Sequence, residues 1–187
     1  MWADLLVTHA FNPQSVKGFL DPEEGEALAR WAKSDLPSGP IMEIGSWCGR
    51  STVYLGQAVC GSDRLVFAVD HHRGSEEHQP GEDYHDRDLF DDVLQRVDTL
   101  PEFRRTIARA GLEHSVIALV GPSALIGRHW TQKLSMVFID GGHALNTALE
   151  DYRAWAVHIA PGGILAIHDV FPDPEEGGRP PYEIWKL

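Results

Sequence analysis

Residues 41–51, Ile-Met-Glu-Ile-Gly-Ser-Trp-Cys-Gly-Arg-Ser, decide the fold together with residues 65–70, Leu-Val-Phe-Ala-Val-Asp. A short apolar strand leads into two glycines, Gly45 and Gly49, which permit backbone angles closed to other residues and leave no Cβ in a ligand's way. A helix then opens, and the second strand ends in the carboxylate of Asp70. This strand-loop-helix-strand pattern indicates a site for an adenosine-bearing cofactor, with the loop backbone close to the cofactor and the carboxylate at the ribose hydroxyls.

The spacing of the glycines narrows the class of cofactor. A dinucleotide fingerprint beginning at Gly45 would need glycines at positions 47 and 50, where the chain has Trp47 and Arg50. A pyrophosphate would not easily approach past an indole ring. The chain also lacks the G-x-x-x-x-G-K-[ST] pattern of a P-loop. A nucleotide-dependent oxidoreductase and an accidental strand-turn-helix are thereby disfavoured, but both stay open as alternatives.

Composition limits the classes of partner. The chain has 187 residues, 43% of them hydrophobic, which suits one domain with a proper core. Its net charge of −12 argues against nucleic acid and against an anionic membrane surface as partners. No apolar run has the length of a membrane span, and the N-terminus does not resemble a signal peptide. Two cysteines, Cys48 and Cys60, fit a reducing compartment, so we expect a cytoplasmic protein that binds a small molecule.

Short apolar runs alternate with helical segments, which indicates an α/β fold with a doubly wound parallel sheet. We predict strands at about 41–45, 65–70, 116–120, 134–139 and 164–167. We predict helices that begin behind an Asp21 cap and at about 50–60, 88–110 with a kink at Pro101, 122–130 and 146–159. Residues 1–40 would form an N-terminal helical or flap segment, and residues 41–187 the cofactor-binding domain. Ligands of such folds bind beyond the carboxyl ends of the strands.

Five segments carry a family resemblance: MEIGSWCGRST, VFAVDHH, LVGPSA, MVFIDGGHALNTALEDYRAW and PGGILAIHDV. They cover about residues 41–170 and resemble class I S-adenosylmethionine-dependent methyltransferases, in particular the small-molecule O-methyltransferases of methyltransferase family 24. Macrolide-sugar O-methyltransferases are among these relatives, and the polar insert after the second strand is similar to that of mycobacterial mannoside O-methyltransferases. The resemblance implies a Rossmann-like fold, S-adenosylmethionine as cofactor and a hydroxyl group as acceptor.

The resemblance also implies roles for individual residues. The cofactor-binding positions are Glu43, Gly45, Ser46 and Gly49 at the methionine end with Ser51 beside them, Asp70 at the ribose, Ser123 and Ala124 at the adenine, and Asp140. Asp140 and Asp169 match the acidic positions that hold Mg²⁺ in metal-dependent members. The acidic or amide residue that often follows the second of these is here Val170, so the metal would need another ligand, such as His168, His143 or water.

Methyl transfer to an alcohol requires that the acceptor oxygen is aligned with the methyl group and loses its proton. A metal ion lowers the pKa of the acceptor, or a base takes the proton. Asp140 and His143 are therefore the candidate catalytic residues, with Mg²⁺ held by Asp140 and Asp169. The alternatives are structural: Asp140 caps a loop or helix, Asp169 forms a turn, and His143 only hydrogen-bonds a carboxylate.

Residues 71–88 form a polar insert that contains four histidines. Their spacing fits neither a helical histidine pair nor a zinc finger. A solvated loop is the ordinary structure for so polar a run. Because the insert leaves the second strand beside the ribose, we hypothesise a lid over a polyhydroxylated acceptor. The candidate acceptor contacts are Trp47, His72, Tyr84 and His168.

Only residues 171–187 follow the fifth predicted strand. Class I folds usually continue with a helix and an antiparallel strand pair, so a sheet edge would lack its partner here. Either the sequence is truncated, or residues 1–40 or a second copy of the chain cover that edge, and of these we favour a homodimer. Helical spacing further places Trp31 and Trp155 in the core.

The sequence thus predicts an S-adenosylmethionine-dependent O-methyltransferase, assisted by Mg²⁺, that acts on a small polyhydroxylated acceptor such as a sugar. Two alternatives remain at this point: an NAD-type oxidoreductase and a cofactor-binding subunit without catalysis.

Overall fold

The computed structural model describes residues 11–142, 144–173 and 180–187. The strands are β1 (Ile41–Ile44), β2 (Val66–Asp70), β3 (Phe90–Asp91), β4 (Arg96–Val97), β5 (Val116–Val120), β6 (Leu134–Ile139) and β7 (Ile159–Ile167). The helices are α1 (Pro22–Ala32), α2 (Arg50–Val59), α3 (Leu100–Arg109), α4 (Ser123–Gly127), α5 (Leu145–Trp155) and α6 (Pro180–Trp185). Five strands pair in parallel in the order β5-β2-β1-β6-β7, and β3 pairs with β4 as a separate antiparallel hairpin.

Two hydrophobic cores cover the two faces of the sheet. Every residue of the central strands β1 and β6 is buried, which explains why their sequences are apolar runs without alternation. Leu28, Val53 and Phe103 bring α1, α2 and α3 into one core. Trp155 and Ile184 bring α5 and α6 into the other. Helices on both faces of a parallel sheet confirm the predicted doubly wound α/β fold.

Main-chain hydrogen bonds continue beyond the ends of the strands. The Asp140 amide donates to the Ile44 carbonyl over 2.8 Å, and the His168 amide donates to the Ile139 carbonyl over 2.9 Å. The loops that follow β1, β6 and β7 therefore leave the sheet side by side at one edge. This is the edge at which parallel α/β sheets place their ligands.

Helix α1 begins as the sequence predicts. The Asp21 side chain accepts from the Glu23 amide over 2.8 Å, and Glu24 accepts from the Asp21 amide over 3.1 Å, which completes a capping box. Gly25 allows α1 to pack closely on α2, because a Cβ there would lie 2.3 Å from the Tyr54 ring. The N-terminal part of the chain is thereby fixed to the helix that follows β1.

The residues before α1, which we call the N-terminal segment (residues 11–20), also pack on α2. The Arg50 guanidinium donates to the Val16 carbonyl over 2.7 and 2.9 Å and to the Leu20 carbonyl over 3.2 Å. Gln57 donates to the Phe11 carbonyl over 2.7 Å. Arg50 thus binds the segment to the first turn of α2, directly after the glycines.

Three predicted elements differ from the structure. Helix α3 begins only at Leu100, and Pro101 lies in its first turn, where its missing N–H costs no hydrogen bond, so the predicted kink is wrong. Residues 87–97 form a short 3-10 turn and the β3-β4 hairpin instead of a helix. Helix α5 ends at Trp155, and β7 begins at Ile159, five residues earlier than predicted, with an irregular register against β6.

In the described part of the chain, strand β7 is an edge strand of the five-stranded sheet. That a second copy of the chain covers this strand in a homodimer stays a prediction. Within the described ranges, no helix has the length and apolarity that crossing a membrane requires.

The two tryptophans assigned to the core behave differently. Trp155 is fully buried, and its indole N–H donates to the Ser123 hydroxyl over 2.7 Å. Trp31 is 44% exposed, so its assignment to the core is wrong.

We expect Trp155→Ala to lower the free energy of unfolding by about 3–5 kcal/mol, because it leaves a large cavity. The matched Trp31→Ala should cost less than about 1 kcal/mol. Urea denaturation checks both, and equal losses would contradict the core assignment of Trp155.

Candidate functional site

Asp70 fixes the loop that follows β1, residues 45–49, which we call the glycine loop. Its Oδ2 accepts from the Ser46 and Trp47 amides over 2.9 and 2.8 Å, and its Oδ1 accepts from the His72 amide over 2.7 Å. A carboxylate oxygen has two lone pairs, so Oδ1 retains one for a ligand hydroxyl. Asp70 therefore shapes the loop and presents one acceptor position beside it.

The glycine loop also lies directly against the chain that follows β6. Gly45 has a φ of 85°, and a Cβ there would lie 2.0 Å from the Asp140 carbonyl oxygen. Gly49, with a φ of 95°, is the residue before the first turn of α2. Glycine is thus required at position 45 both by the backbone angle and by the neighbouring main chain.

Two polar side chains lie buried beneath the glycine loop. Glu43 is fully buried, and Thr52 donates a hydrogen bond to its Oε2. Within the described residues, no group donates to the other carboxylate oxygen, Oε1, or partners the buried Ser46 hydroxyl. Burial raises the pKa of Glu43 to about 8, and the nearby hydroxyl groups of Ser51 and Thr52 offset only part of this increase. Glu43 is therefore mostly protonated at neutral pH and becomes a favourable carboxylate when a cation is placed beside it.

Ser123 and Ala124 begin α4, directly after β5 and Gly121-Pro122. The Ser123 hydroxyl is engaged by the Trp155 indole. Burial raises the pKa of Asp151 to about 6, against a hydrogen bond from Ser123. The Ser123 side chain therefore joins α4 to α5, so that its hydroxyl is already engaged on the helix side.

At the ends of β6 and β7, the structure brings together Asp140, His168 and Asp169. His168 Nδ1 lies 3.2 Å from an Asp140 carboxylate oxygen and 3.0 Å from one of Asp169. One ligand atom of each residue lies within 4.8 Å of the others, and no other group of this kind occurs in the described residues. All three side chains are mostly buried: the exposed fraction is 26% for Asp140, 12% for His168 and 27% for Asp169. This donor set fits a divalent cation.

The charge of His168 depends on its neighbours. Burial alone would lower the pKa of its imidazole, but the carboxylates of Asp140 and Asp169 outweigh burial and raise the pKa to about 11. In the metal-free protein the ring is therefore an imidazolium that neutralises part of the acidic charge. A bound metal ion would replace that proton, because a histidine ligand is neutral.

His72 does not occupy the position expected for an acceptor contact. The side chain is only 1% exposed, its Nδ1 lies 2.7 Å from the Thr99 hydroxyl, and its ring packs 5.3 Å from the Phe103 ring. Burial lowers the pKa of His72 below its ordinary value. The prediction that His72 faces an acceptor is wrong for this structure, because the ring connects the end of β2 to α3 in the core.

The insert is folded against the glycine loop. The Trp47 and His78 rings lie 4.1 Å apart at 31°, and Phe19 packs edge-on to Tyr84 at 5.3 Å. We call Phe19, Trp47, His78 and Tyr84 the aromatic cluster. Phe19 and Tyr84 are 61% and 54% exposed, so the cluster presents aromatic surface to solvent. Its members come from the N-terminal segment, the glycine loop and the insert.

Two contacts show where the insert lies. A Cβ on Gly142 would be 3.7 Å from the Ser75 side chain, so the insert reaches the loop that contains Asp140. Lys17 in the N-terminal segment forms ion pairs of 2.6 and 3.0 Å with Asp86 and Asp88. The insert is therefore held between the N-terminal segment and the end of β6, and its role as a lid stays a prediction.

The sequence predicts a flap over the site for the N-terminal part of the chain that contains Phe19, but it assigns no individual site role to His78, Arg50 or Glu24. Glu24 lies in the first turn of α1, and its carboxylate oxygen Oε2 lies 3.0 Å from His168 Nε2. Such contacts join residues far apart in the chain, for which periodicity and spacing give no signal. The candidate base His143 lies outside the described residues.

A family model described as a methyltransferase domain, Methyltransf_24, matches residues 42–170. Among solved structures, the chain is similar to the O-methyltransferase NovP, with a TM-score of 0.66 and 16% identity over 88% of this chain and 69% of that one. It is similar to the O-methyltransferase TomG from Streptomyces achromogenes in complex with SAM (TM-score 0.60, 18% identity, 90% and 68% covered). It is also similar to an O-methyltransferase from Bacillus cereus in complex with SAH (0.61, 17%, 90% and 70%). At these identities the similarity establishes the class I, Rossmann-like fold.

The burial of Glu43 predicts a specific pH dependence. The pKa of Glu43 is about 8 in the folded protein against an ordinary 4.5, so in this window the folded protein holds a proton that the unfolded chain releases. This proton makes the wild-type free energy of unfolding fall, as the pH rises from 5 to 8, by up to about 1.4 kcal/mol per pH unit. Glu43→Gln lacks this contribution, so its stability relative to wild type should increase over the same window. Parallel pH profiles in urea denaturation would show that Glu43 is ionised in the folded state.

Proposed function

Because the chain belongs to the methyltransferase domain family Methyltransf_24, we propose that it transfers the methyl group of S-adenosylmethionine to a hydroxyl oxygen of a small, polyhydroxylated acceptor, with assistance from a divalent cation. One observation carries the proposal. The glycine loop and the Asp140 main chain lie in direct contact at Gly45, so the predicted cofactor site adjoins the Asp140–His168–Asp169 group. A methyl donor and a cation-bound acceptor would then be neighbours.

The polar atoms around the glycine loop fit the parts of this cofactor. Asp70 Oδ1 retains an acceptor position for a ribose hydroxyl. The Glu43 Oε1 and Ser46 hydroxyl atoms, without hydrogen-bond partners among the described residues, lie where the methionine end would bind. The ammonium group of that end would favour the ionised form of Glu43. Gly49 and the buried Ser51 would line the same end.

The chemistry is a displacement in which the acceptor oxygen attacks the methyl carbon. The carbon–sulfur bond breaks, its electron pair remains on sulfur to give S-adenosylhomocysteine, and the acceptor proton passes to a base. The protein contributes alignment of the two reactants and removal of that proton. Asp140 and Asp169 would hold the cation, and two carboxylates without a further protein ligand would suit Mg²⁺. A divalent cation, when bound, lowers the pKa of the acceptor hydroxyl. His143, three residues after Asp140, stays the predicted base.

The aromatic cluster supports a sugar-like acceptor. Exposed aromatic rings bind the C–H faces of a ligand, while neighbouring carboxylates accept from its hydroxyls. Phe19 and Tyr84 offer such rings, and Ser75 brings the insert to the loop beside Asp140. The NAD-type oxidoreductase is not favoured, since Trp47 occupies a position that a dinucleotide fingerprint reserves for glycine.

Ligand-induced stabilisation tests the choice of cofactor. S-adenosylhomocysteine should raise the melting temperature, with an increase that grows as the logarithm of its concentration above Kd, whereas NAD should not. Asp70→Asn should weaken S-adenosylhomocysteine binding at least about tenfold, because the amide presents an N–H where an acceptor is needed. Asp63→Asn, an exposed aspartate before β2, is the matched control and should bind as wild type. Stabilisation by NAD alone would contradict the proposal.

The acceptor site can be tested with labelled S-adenosylmethionine and a panel of sugars and catechols, with Mg²⁺ or with EDTA. On a sugar that is methylated, Phe19→Ala and Tyr84→Ala should each raise the acceptor KM by about 3- to 30-fold, as expected for the loss of an aromatic contact. The affinity for S-adenosylhomocysteine should stay within about twofold. Val93→Ala, 90% exposed at the hairpin, is the control. Equal loss of cofactor affinity would contradict the lid, and no turnover on any acceptor would favour a non-catalytic subunit.

A further inference from the structure

We propose that His168 is a metal ligand through Nδ1, that Glu24 of α1 is the positioning residue that orients it, and that the Asp140–His168–Asp169 site consequently prefers Mn²⁺ or Co²⁺ to Mg²⁺. The proposal rests on the proposed function, because it specifies the cation and the ligands of that site. It adds a residue from outside the segment of chain that carries the family match, which begins at residue 42.

The donor atoms of His168 and the two aspartates are spaced like ligands of a single metal ion. His168 Nδ1 lies 3.2 Å from the Asp140 oxygen and 3.0 Å from the Asp169 oxygen. An octahedral ion with bonds of about 2.1 Å separates neighbouring ligand atoms by about 3.0 Å. Both distances from Nδ1 are therefore already those of adjacent ligands around one ion.

Glu24 orients the imidazole of His168. His168 Nε2 lies 3.0 Å from Glu24 Oε2, and an ionised carboxylate can only accept, so the proton of a neutral ring is held on Nε2. The lone pair of Nδ1 then faces Asp140 and Asp169. In the metal-free protein the buried Nδ1 carries the imidazolium proton between the two carboxylates. A metal ion would take the place of that proton, because a histidine ligand is neutral.

Glu24 is itself held in place by the capping box of α1. Its Oε2 also accepts from the Asp21 amide in the capping box of α1, over 3.1 Å. The sequence carboxylate–imidazole–metal is the usual support for a histidine ligand, since the carboxylate fixes the ring and increases its basicity. Helix α1 therefore contributes the outer carboxylate.

The choice of ion follows from the donor set. Mg²⁺ prefers oxygen ligands, whereas an imidazole nitrogen favours first-row transition metals. Val170, which follows Asp169, has no side-chain donor with which to replace the imidazole. Two carboxylates and one imidazole thus fit Mn²⁺ or Co²⁺ better than an all-oxygen set would.

The test is metal binding by the full chain, measured by calorimetry with Mg²⁺, Mn²⁺ and Co²⁺ separately. Wild type should bind Co²⁺ and Mn²⁺ at least about tenfold more tightly than Mg²⁺. His168→Asn places an oxygen or amide at the Nδ1 position, so it should lose most of that preference while Mg²⁺ affinity changes little. Pulsed electron paramagnetic resonance of bound Mn²⁺ should show coupling to an imidazole nitrogen in wild type and none in His168→Asn.

The positioning role of Glu24 is tested with two neighbouring substitutions. Glu24→Gln keeps an acceptor for the Asp21 amide but removes the charge, and it should weaken Mn²⁺ and Co²⁺ binding by about 10- to 100-fold. Glu23→Gln removes the same charge in the same turn and should bind both ions as wild type. Melting temperatures and S-adenosylhomocysteine binding of all variants confirm that they are folded.

Three results would overturn the inference: tighter binding of Mg²⁺ than of Mn²⁺ and Co²⁺, equal behaviour of Glu24→Gln and Glu23→Gln, or no nitrogen coupling in wild type. Absence of all metal binding would overturn it as well, while the binding of S-adenosylhomocysteine is measured independently. Failure of that cofactor to bind would instead contradict the proposed function.

Discussion

The close approach of two main-chain segments sets the geometry of the site. At Gly45 the glycine loop rests on the Asp140 carbonyl, where a Cβ would be only 2.0 Å away. Any other residue would push the loop after β1 away from the loop after β6. The contact keeps the predicted cofactor site and the metal-capable group adjacent, and methyl transfer needs such a short distance between donor and acceptor. The absence of one methyl group thus permits the whole arrangement.

Four acidic side chains lie at this edge of the sheet, and the chain stabilises them in three different ways. Glu43 retains a proton because it is fully buried, with a pKa of about 8. Asp70 accepts three main-chain amides. Asp140 and Asp169 share the imidazolium of His168. In each case a cationic ligand group could take the place of the present partner of the carboxylate. This edge of the sheet is therefore suited to a sulfonium cofactor and a metal ion.

The central part of the fold was predictable from the sequence, because buried parallel strands are apolar runs that end in polar residues. The runs at β1, β2, β5 and β6 were found to within one residue of their observed ends. Helix α3 was predicted too long since Pro101 was interpreted as a kink, although a proline is equally suited to a first helical turn. His72 shows the limit for the site: its place after Asp70 was clear, but whether its ring faces solvent depends on Phe103 and Thr99, which are distant in sequence.

The N-terminal segment and α1 contact both the insert and the Asp140–His168–Asp169 group. Phe19 joins the aromatic cluster, and Glu24 contacts His168. Arg50 holds the segment, through two nitrogens on the Val16 carbonyl and one on the Leu20 carbonyl. A planar guanidinium can reach both carbonyls at once, whereas the single ammonium of a lysine cannot reproduce that geometry. Because Arg50 follows Gly49 directly, these bonds join the end of the glycine loop to the N-terminal segment. Arg50, which argued against a dinucleotide fingerprint, therefore also has a structural role: it joins the glycine loop to the N-terminal segment.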